Sequence, residues 1–389
     1  PPQAFTVETN VLLHNAINAF AAPAGYMFVN SGLILHMNDE AQVAGVLAHE
    51  LAHVTQRHIA GRIERMQTIS LLAMVGMLAG ALLGGDYTKP IMVGAMAASQ
   101  SAALKYSRED ERDADQVGIQ YLVGAGYPAT GMIEAFQILS RQQWLGGGGT
   151  LPTYLATHPG LKERIAYLEQ QVARMPKKPA AGDNARFERV KMLLRARYAD
   201  PATALRFFES KGAAATCLET LGIGICLERL NRMAEAEKAF DRALHCGGGD
   251  PLFAREAGRF NFQRGNYGLA SAFLKEAVAK HPDDLMALFF YARLLGEQGS
   301  NQEAARYYER ILRELPEDAE VRYYLGRVLG QGGRFFEAHL NLAYGALYGN
   351  NPRQYQFHEE KVRQLAATPE QKEAMEKLHQ EFETRQELQ

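Results

Sequence analysis

A 34-residue period runs through the C-terminal half of this chain and restricts its fold more than any other feature. Ala202, Ala236, Ala270, Ala304 and Ala338 are each 34 apart, as are Gly265, Gly299 and Gly333 and the small residues Gly224, Gly258, Ala292 and Gly326. Pro282 and Pro316 close two of the units. Small side chains at fixed intervals let two antiparallel helices cross closely, and a proline beyond the second helix ends it. Units of this kind bury their apolar faces only against one another, so they stack into a curved solenoid with a long concave surface.

This is the tetratricopeptide period. The array is read over residues 187–351, with an atypical first unit around Phe187 to Lys211 as a cap and a polar tail, 352–389, as closing helices. The concave surface is expected to dock a protein partner or an unfolded substrate, the alternative being a rigid spacer. Phe260, Phe262, Tyr291, Tyr323 and Tyr324 fall mainly on first helices, where most of them are expected to fill the interhelical core. Residues 173–186, which include Pro176-Lys177-Lys178-Pro179, read as a linker to a separate domain, 1–172.

That domain contains His49-Glu50-Leu51-Ala52-His53, within a segment where Val43, Val46, Leu47, Leu51 and Val54 recur at helical spacing. Residues four apart stack on one face of a helix. His49 and His53 can therefore offer two imidazole nitrogens to one metal ion, with Glu50 beside them, which is the zinc-protease arrangement. Asn38 or Asp39 is placed to cap this helix. A catalytic zinc takes three protein ligands and leaves one position open, so a further ligand must come from elsewhere.

The acidic stretch Ser107 to Asp115 is the candidate donor. Ser107 and Asp110 resemble a capping box, and the apolar residues that follow, up to Gly124 and Gly126-Tyr127-Pro128, read as a second helix with its stop. Glu109 and Asp110 suit a solvated first turn. Glu111 and Asp115 share a face, so one can bind metal while the other orients a ligand histidine through its second ring nitrogen.

Together these segments resemble the zinc endopeptidase family that contains the prenyl-protein CAAX proteases, the heat-shock membrane protease HtpX and the periplasmic β-barrel assembly-enhancing proteases. The resemblance runs through Asn15 to Phe20, Gly25 to Gly32, Leu47 to His58, Ser107-Arg108 with Glu111, Ala114-Asp115 and Gly118, Thr157-His158-Pro159, and Glu163-Arg164. It implies one Zn²⁺ per chain held by His49, His53 and Glu111, with Asp115 supporting the site. It implies that His158 is a regulatory fourth ligand that keeps the enzyme latent, and that Arg164 helps stabilise the reaction intermediate. It further implies a periplasmic protein that works beside the outer-membrane assembly machinery.

The expected fold is α+β: a mainly helical gluzincin-type protease domain with a small β-sheet, followed by an all-α tetratricopeptide solenoid. The expected reaction is hydrolysis of peptide bonds in misfolded or stalled outer-membrane proteins. Glu50 takes a proton from water and later gives it to the leaving amine, and Arg164 meets the oxyanion. The alternative is a chaperone or assembly scaffold whose repeat surface is the main activity and whose protease site stays latent. Gly146 to Gly149 reads either as a hinge that lets His158 move or as a plain surface loop.

His58 lies off the ligand face, and His14 and His36 flank predicted strands, so none of the three is expected to touch metal. Tyr26 to Asn30 reads as a strand, either an edge that takes up extended substrate or an interior strand. The apolar run Ile69 to Leu83 would span about 23 Å as a helix against roughly 30 Å of bilayer hydrocarbon. Residues 69–98 are therefore read as a helical hairpin over the cleft, with possible peripheral membrane contact, rather than as a transmembrane pair.

A formal charge of −2 with interspersed signs excludes a basic nucleic-acid footprint. The opening Pro1-Pro2-Gln3 lacks a leader pattern and reads as a mature start. Cys217 and Cys246 fall at ends of two helices that an antiparallel pair brings together, so a bridge is geometrically possible. Buried free thiols are the alternative, and Cys226 is left over in either case.

Overall fold

The computed structural model describes residues 6–58, 60, 61, 64, 107–145, 154, 157–175 and 184–387. The apolar run 69–98, the glycines at 146–149 and most of the 173–186 segment lie outside the described residues. The chain divides into two compact units, Pro1–Ala204 and Leu205–Gln389.

In the first unit, β1 (Glu8–Leu12), β2 (Ala19–Ala21) and β3 (Tyr26–Asn30) form a sheet of order β1-β3-β2. The β1 pairing is parallel, with Glu8 opposite Tyr26, and the β2 pairing is antiparallel, with Phe20 opposite Phe28. The strand Tyr26–Asn30 is thus paired on both sides, which settles it as interior and leaves β1 and β2 as the edges among the described residues.

A short helix α1 (Ser31–His36) leads into α2 (Glu40–Thr55), then α3 (Arg108–Gly124), α4 (Thr130–Leu145), α5 (Leu161–Val172) and α6 (Asn184–Tyr198). Asp39 caps α2 by accepting from the Gln42 backbone N–H at 2.9 Å. Ser107 and Asp110 form the reciprocal capping box at α3. Helix α2 packs on both α3 and α4. The Gln42 amide donates to Glu134 on α4 at 3.1 Å, and the Tyr121 hydroxyl on α3 donates to Thr55 at 3.0 Å, so both ends of α2 are tied. Leu33, Met37, Val46, Ile119, Met132, Phe136 and Leu168 fill the core, joined by Phe187 of α6.

The second unit opens within α7 (Pro201–Glu209) and continues through α8 (Cys217–Arg229), α9 (Met233–Cys246), α10 (Pro251–Gln263), α11 (Tyr267–Lys280), α12 (Leu285–Glu297), α13 (Asn301–Glu314), α14 (Ala319–Gln331), α15 (Phe335–Tyr348), α16 (Pro352–Leu365) and α17 (Pro369–Glu387). Ala236, Ala270 and Ala304 are fully buried on second helices, as close crossing requires. Gly265, Gly299 and Gly333 sit between paired helices with φ of 75°, 77° and 80°, a region in which a side chain is strained. Asn231 holds the equivalent place in the preceding pair at φ 58°, a conformation asparagine tolerates. A second ladder has the same period: Thr216, Asp250, Asp284 and Asp318 each cap a first helix through the side chain. Phe260, Phe262 and Tyr291 are buried in the array, whereas Tyr323 is exposed. Among the described residues, no helix is long and apolar enough to cross a membrane.

Candidate metal centre

Helix α2 presents His49 and His53 on the face that packs against α3 and α4, and α3 answers with Glu111 and Asp115 one turn apart. The segment before α5 adds His158, and α5 itself adds Arg164. All six side chains are buried, as is Glu50. One ligand atom from each of His49, His53, Glu111 and His158 lies within 4.8 Å of all the others. His49 Nε2 is 3.1 Å from His53 Nε2, 3.4 Å from His158 Nδ1 and 3.6 Å from a Glu111 oxygen. His53 Nε2 is 3.5 Å from the other Glu111 oxygen, which is 2.9 Å from His158 Nδ1.

A tetrahedral ion with bonds of about 2.0–2.1 Å holds its ligand atoms about 3.3–3.4 Å apart. The observed separations bracket that spacing, and the donor set of three imidazoles and one carboxylate suits a zinc-like ion. The residues therefore fit a metal centre.

The surrounding groups fix these ligands. His49 Nδ1 lies 3.0 Å from Asp115, the carboxylate support that metal-bound imidazoles commonly have. Arg164 donates to Asp115 twice, from Nε at 2.8 Å and Nη2 at 2.6 Å, and from Nη1 to Glu111. Its guanidinium also lies over the Phe136 ring at 4.6 Å. The Tyr167 hydroxyl donates to Asp115 as well. Arg164 is thus no surface residue, and three of its nitrogens each face an acidic oxygen, so the oxyanion role expected of it is a poor match to its surroundings.

The electrostatics follow from the burial. Burial and Arg164 both work against a proton on His49, but its hydrogen bonds to Asp115 and Glu111 prevail and raise its pKa to about 9. Carboxylates that favour a proton there favour a cation in its place. Burial opposes the charge on Asp115, yet Arg164 and His49 overcome it and hold the carboxyl at about 2. Glu111 is likewise kept well below the usual carboxylate range by His158 and Arg164 against its own burial. Desolvation pushes His53 down, towards the neutral form a metal ligand requires. Glu50 moves the other way: burial raises its pKa, and neither carboxylate oxygen has a hydrogen-bond partner. His158 Nε2 lies 3.5 Å from one of its oxygens. A carboxylate whose proton affinity is raised in this way is a better proton acceptor.

Two side chains here were not anticipated. His58 Nδ1 lies 3.0 Å from His53 Nδ1, and its Nε2 is 3.2 Å from Asp113. Tyr154 stacks on the His158 ring, centroids 4.3 Å apart. His14 and His36 serve local backbone, near the Ala16 N–H and the Gly32 carbonyl.

The comparisons with known proteins agree with this geometry. Residues 2–172 match the model of peptidase family M48, and residues 220–251, 255–305 and 292–352 match that of the tetratricopeptide repeat. The β-barrel assembly-enhancing protease of Yersinia pestis is 32% identical over 171 residues, covering 43% of this chain and 35% of the relative. That of Escherichia coli (strain K12) is 33% identical over 156 residues, covering 39% and 32%. The mitochondrial metalloendopeptidase OMA1 of Arabidopsis thaliana is 32% identical over 163 residues, covering 42% and 31%. The matches thus span about a third of the length of these curated relatives. This chain carries a peptidase family M48 domain over residues 2–172, followed by tetratricopeptide repeats.

Proposed function

We propose that this chain is a zinc-dependent endopeptidase. The observation that carries the proposal is the buried convergence of His49, His53, Glu111 and His158 within 4.8 Å, with the Glu50 carboxylate, which has no hydrogen-bond partner, beside it. His49, His53 and Glu111 would hold the ion, and Asp115 would orient His49 through Nδ1. When bound, zinc supplies Lewis acidity, which lowers the pKa of water and polarises a carbonyl. Glu50 takes the proton of the attacking water on a carboxylate oxygen and returns it to the leaving nitrogen. Arg164 neutralises and positions Asp115 and Glu111, so that two carboxylates can stay ionised side by side away from water.

The bacterial relatives are named for enhancing β-barrel assembly, which, with the family resemblance, supports substrates among outer-membrane proteins that misfold or stall during assembly, and the repeat array supports docking of those polypeptides or of a partner protein. The Cys217–Cys246 bridge favours an oxidising compartment such as the periplasm. His158, 2.9 Å from Glu111, favours a latent resting state in which its ring takes the position that water needs, and that state is common ground with a scaffold reading. Replacing Glu50 by Gln should lower hydrolysis of a fluorogenic casein by about 10²–10⁴-fold with zinc content unchanged. Full complementation of a deletion strain by that variant would favour the scaffold. Replacing His158 by Ala should raise the basal rate, and a rate that stays the same or falls argues against latency.

A further inference from the structure

Tyr154 is fully buried, and its hydroxyl has no hydrogen-bond partner. Its ring lies against His158, and its carbonyl accepts the His158 backbone N–H at 2.9 Å and the Thr157 hydroxyl at 3.0 Å, so the residue is held firmly at the metal centre. A phenol is a neutral O–H donor at neutral pH. The two Glu50 oxygens beside the same centre are also buried without hydrogen-bond partners. A buried donor and a buried acceptor that leave each other unpaired both lose their hydration without recompense. A polar group brought to either of them recovers the interaction that it lacks.

We propose that Tyr154 is a catalytic residue whose hydroxyl donates a hydrogen bond to the scissile carbonyl oxygen as negative charge develops on it. This rests on the peptidase reading and fills the role that Arg164, engaged by Asp115 and Glu111, does not. The water oxygen forms a bond to the carbonyl carbon while Glu50 takes its proton. The π electron pair moves onto the carbonyl oxygen, where the Tyr154 O–H meets it. When that pair returns, the C–N bond breaks and the proton on Glu50 passes to the departing nitrogen. The tyrosine keeps its own proton throughout. A donor fixed in a site closed to water strengthens its bond as the charge grows, which selects the transition state over the substrate.

Tyr154→Phe removes the hydroxyl and keeps the ring that stacks on His158, so the fold and zinc content should be retained. The full chain would be assayed with a fluorogenic peptide in the wild-type and the His158→Ala backgrounds, so that latency does not mask the comparison. Losing one donor to the oxyanion should lower kcat about 10²-fold with little change in KM. A phosphinic peptide, which imitates the tetrahedral adduct, should bind more weakly by a similar factor. Binding of the uncleaved peptide, compared between Glu50→Gln and the Glu50→Gln/Tyr154→Phe pair, should not change. An unchanged kcat overturns the proposal, as does a lower kcat accompanied by loss of zinc or of thermal stability. Glu50-dependent hydrolysis that survives Tyr154→Phe sinks this assignment alone, whereas the absence of any Glu50-dependent hydrolysis in the His158→Ala background sinks the peptidase reading as well.

Discussion

The two ring nitrogens of His53 have different neighbours. Nε2 faces His49 and Glu111, and Nδ1 faces Nδ1 of His58, which reaches Asp113 through its own Nε2. Two imidazole nitrogens 3.0 Å apart share one proton. Assigning it to His53 lets His58 accept, leaves the His58 Nε2–H for Asp113, and frees the His53 Nε2 lone pair for metal. On this argument His58→Ala should weaken zinc binding by about 10–100-fold in a chelator competition. Asn at the same position, whose amide oxygen can accept the bond, should recover part of it, and full affinity in the alanine variant would dismiss the orienting role. His49, Glu50 and His53 were legible from spacing alone, because one helix presents them. His58 was not, since five residues on a continuing helix place it on another face. Helix α2 ends at Thr55, and Arg57 takes φ 59°, which turns the chain back towards His53. Arg164 was equally hidden: spacing could not reveal that its partners lie on α3.

At the scale of elements, the site depends on how closely α2 approaches its neighbours. A Cβ on Gly45 would come within 2.6 Å of both the Cα and the N of Met132, backbone atoms that cannot swing aside. Gly45 lies one turn before His49, so a shift there moves the ligands. Gly45→Ala should destabilise the unit by about 1–3 kcal/mol, the usual cost of overpacking, read by urea unfolding, and should weaken zinc binding in parallel. A stable variant with full affinity would show that α2 has slack. In the array, a Cβ on Gly258 would meet Leu274 Cγ at 2.6 Å and its backbone N at 3.1 Å. Gly258→Ala is therefore expected to destabilise although alanine gains about 1 kcal/mol in helix propensity. The helical pairs were readable because the same steric demand recurs every 34 residues. The place of β3 in its sheet was not, because an edge strand and an interior strand can carry the same five residues and differ only in what pairs with them.

For the molecule as a whole, the array's stability includes a covalent part. Cys217 and Cys246 are bonded, with Cα atoms 5.7 Å apart and 29 residues of separation, joining the start of α8 to the end of α9. Closing a loop of that length lowers the entropy of the unfolded chain by about 3–4 kcal/mol on the loop-closure model. Cys226 is buried and forms no disulfide. Burial, aided by Glu209 and opposed by Arg229, raises its pKa to about 11. The folded state therefore holds the thiol proton more tightly than the unfolded state does. That contribution is complete below the ordinary thiol pKa and is lost as pH rises from there through about 11. At pH 8 a thiol reagent should find no reactive group in the native chain, one after denaturation and three after denaturation with reductant. Three without reductant would refute the bridge, and one in the native state would refute the burial of Cys226. Reduction alone should lower the unfolding temperature of the array while leaving zinc content unchanged, because each repeat depends on its neighbours for stability and the metal ligands lie in the other unit.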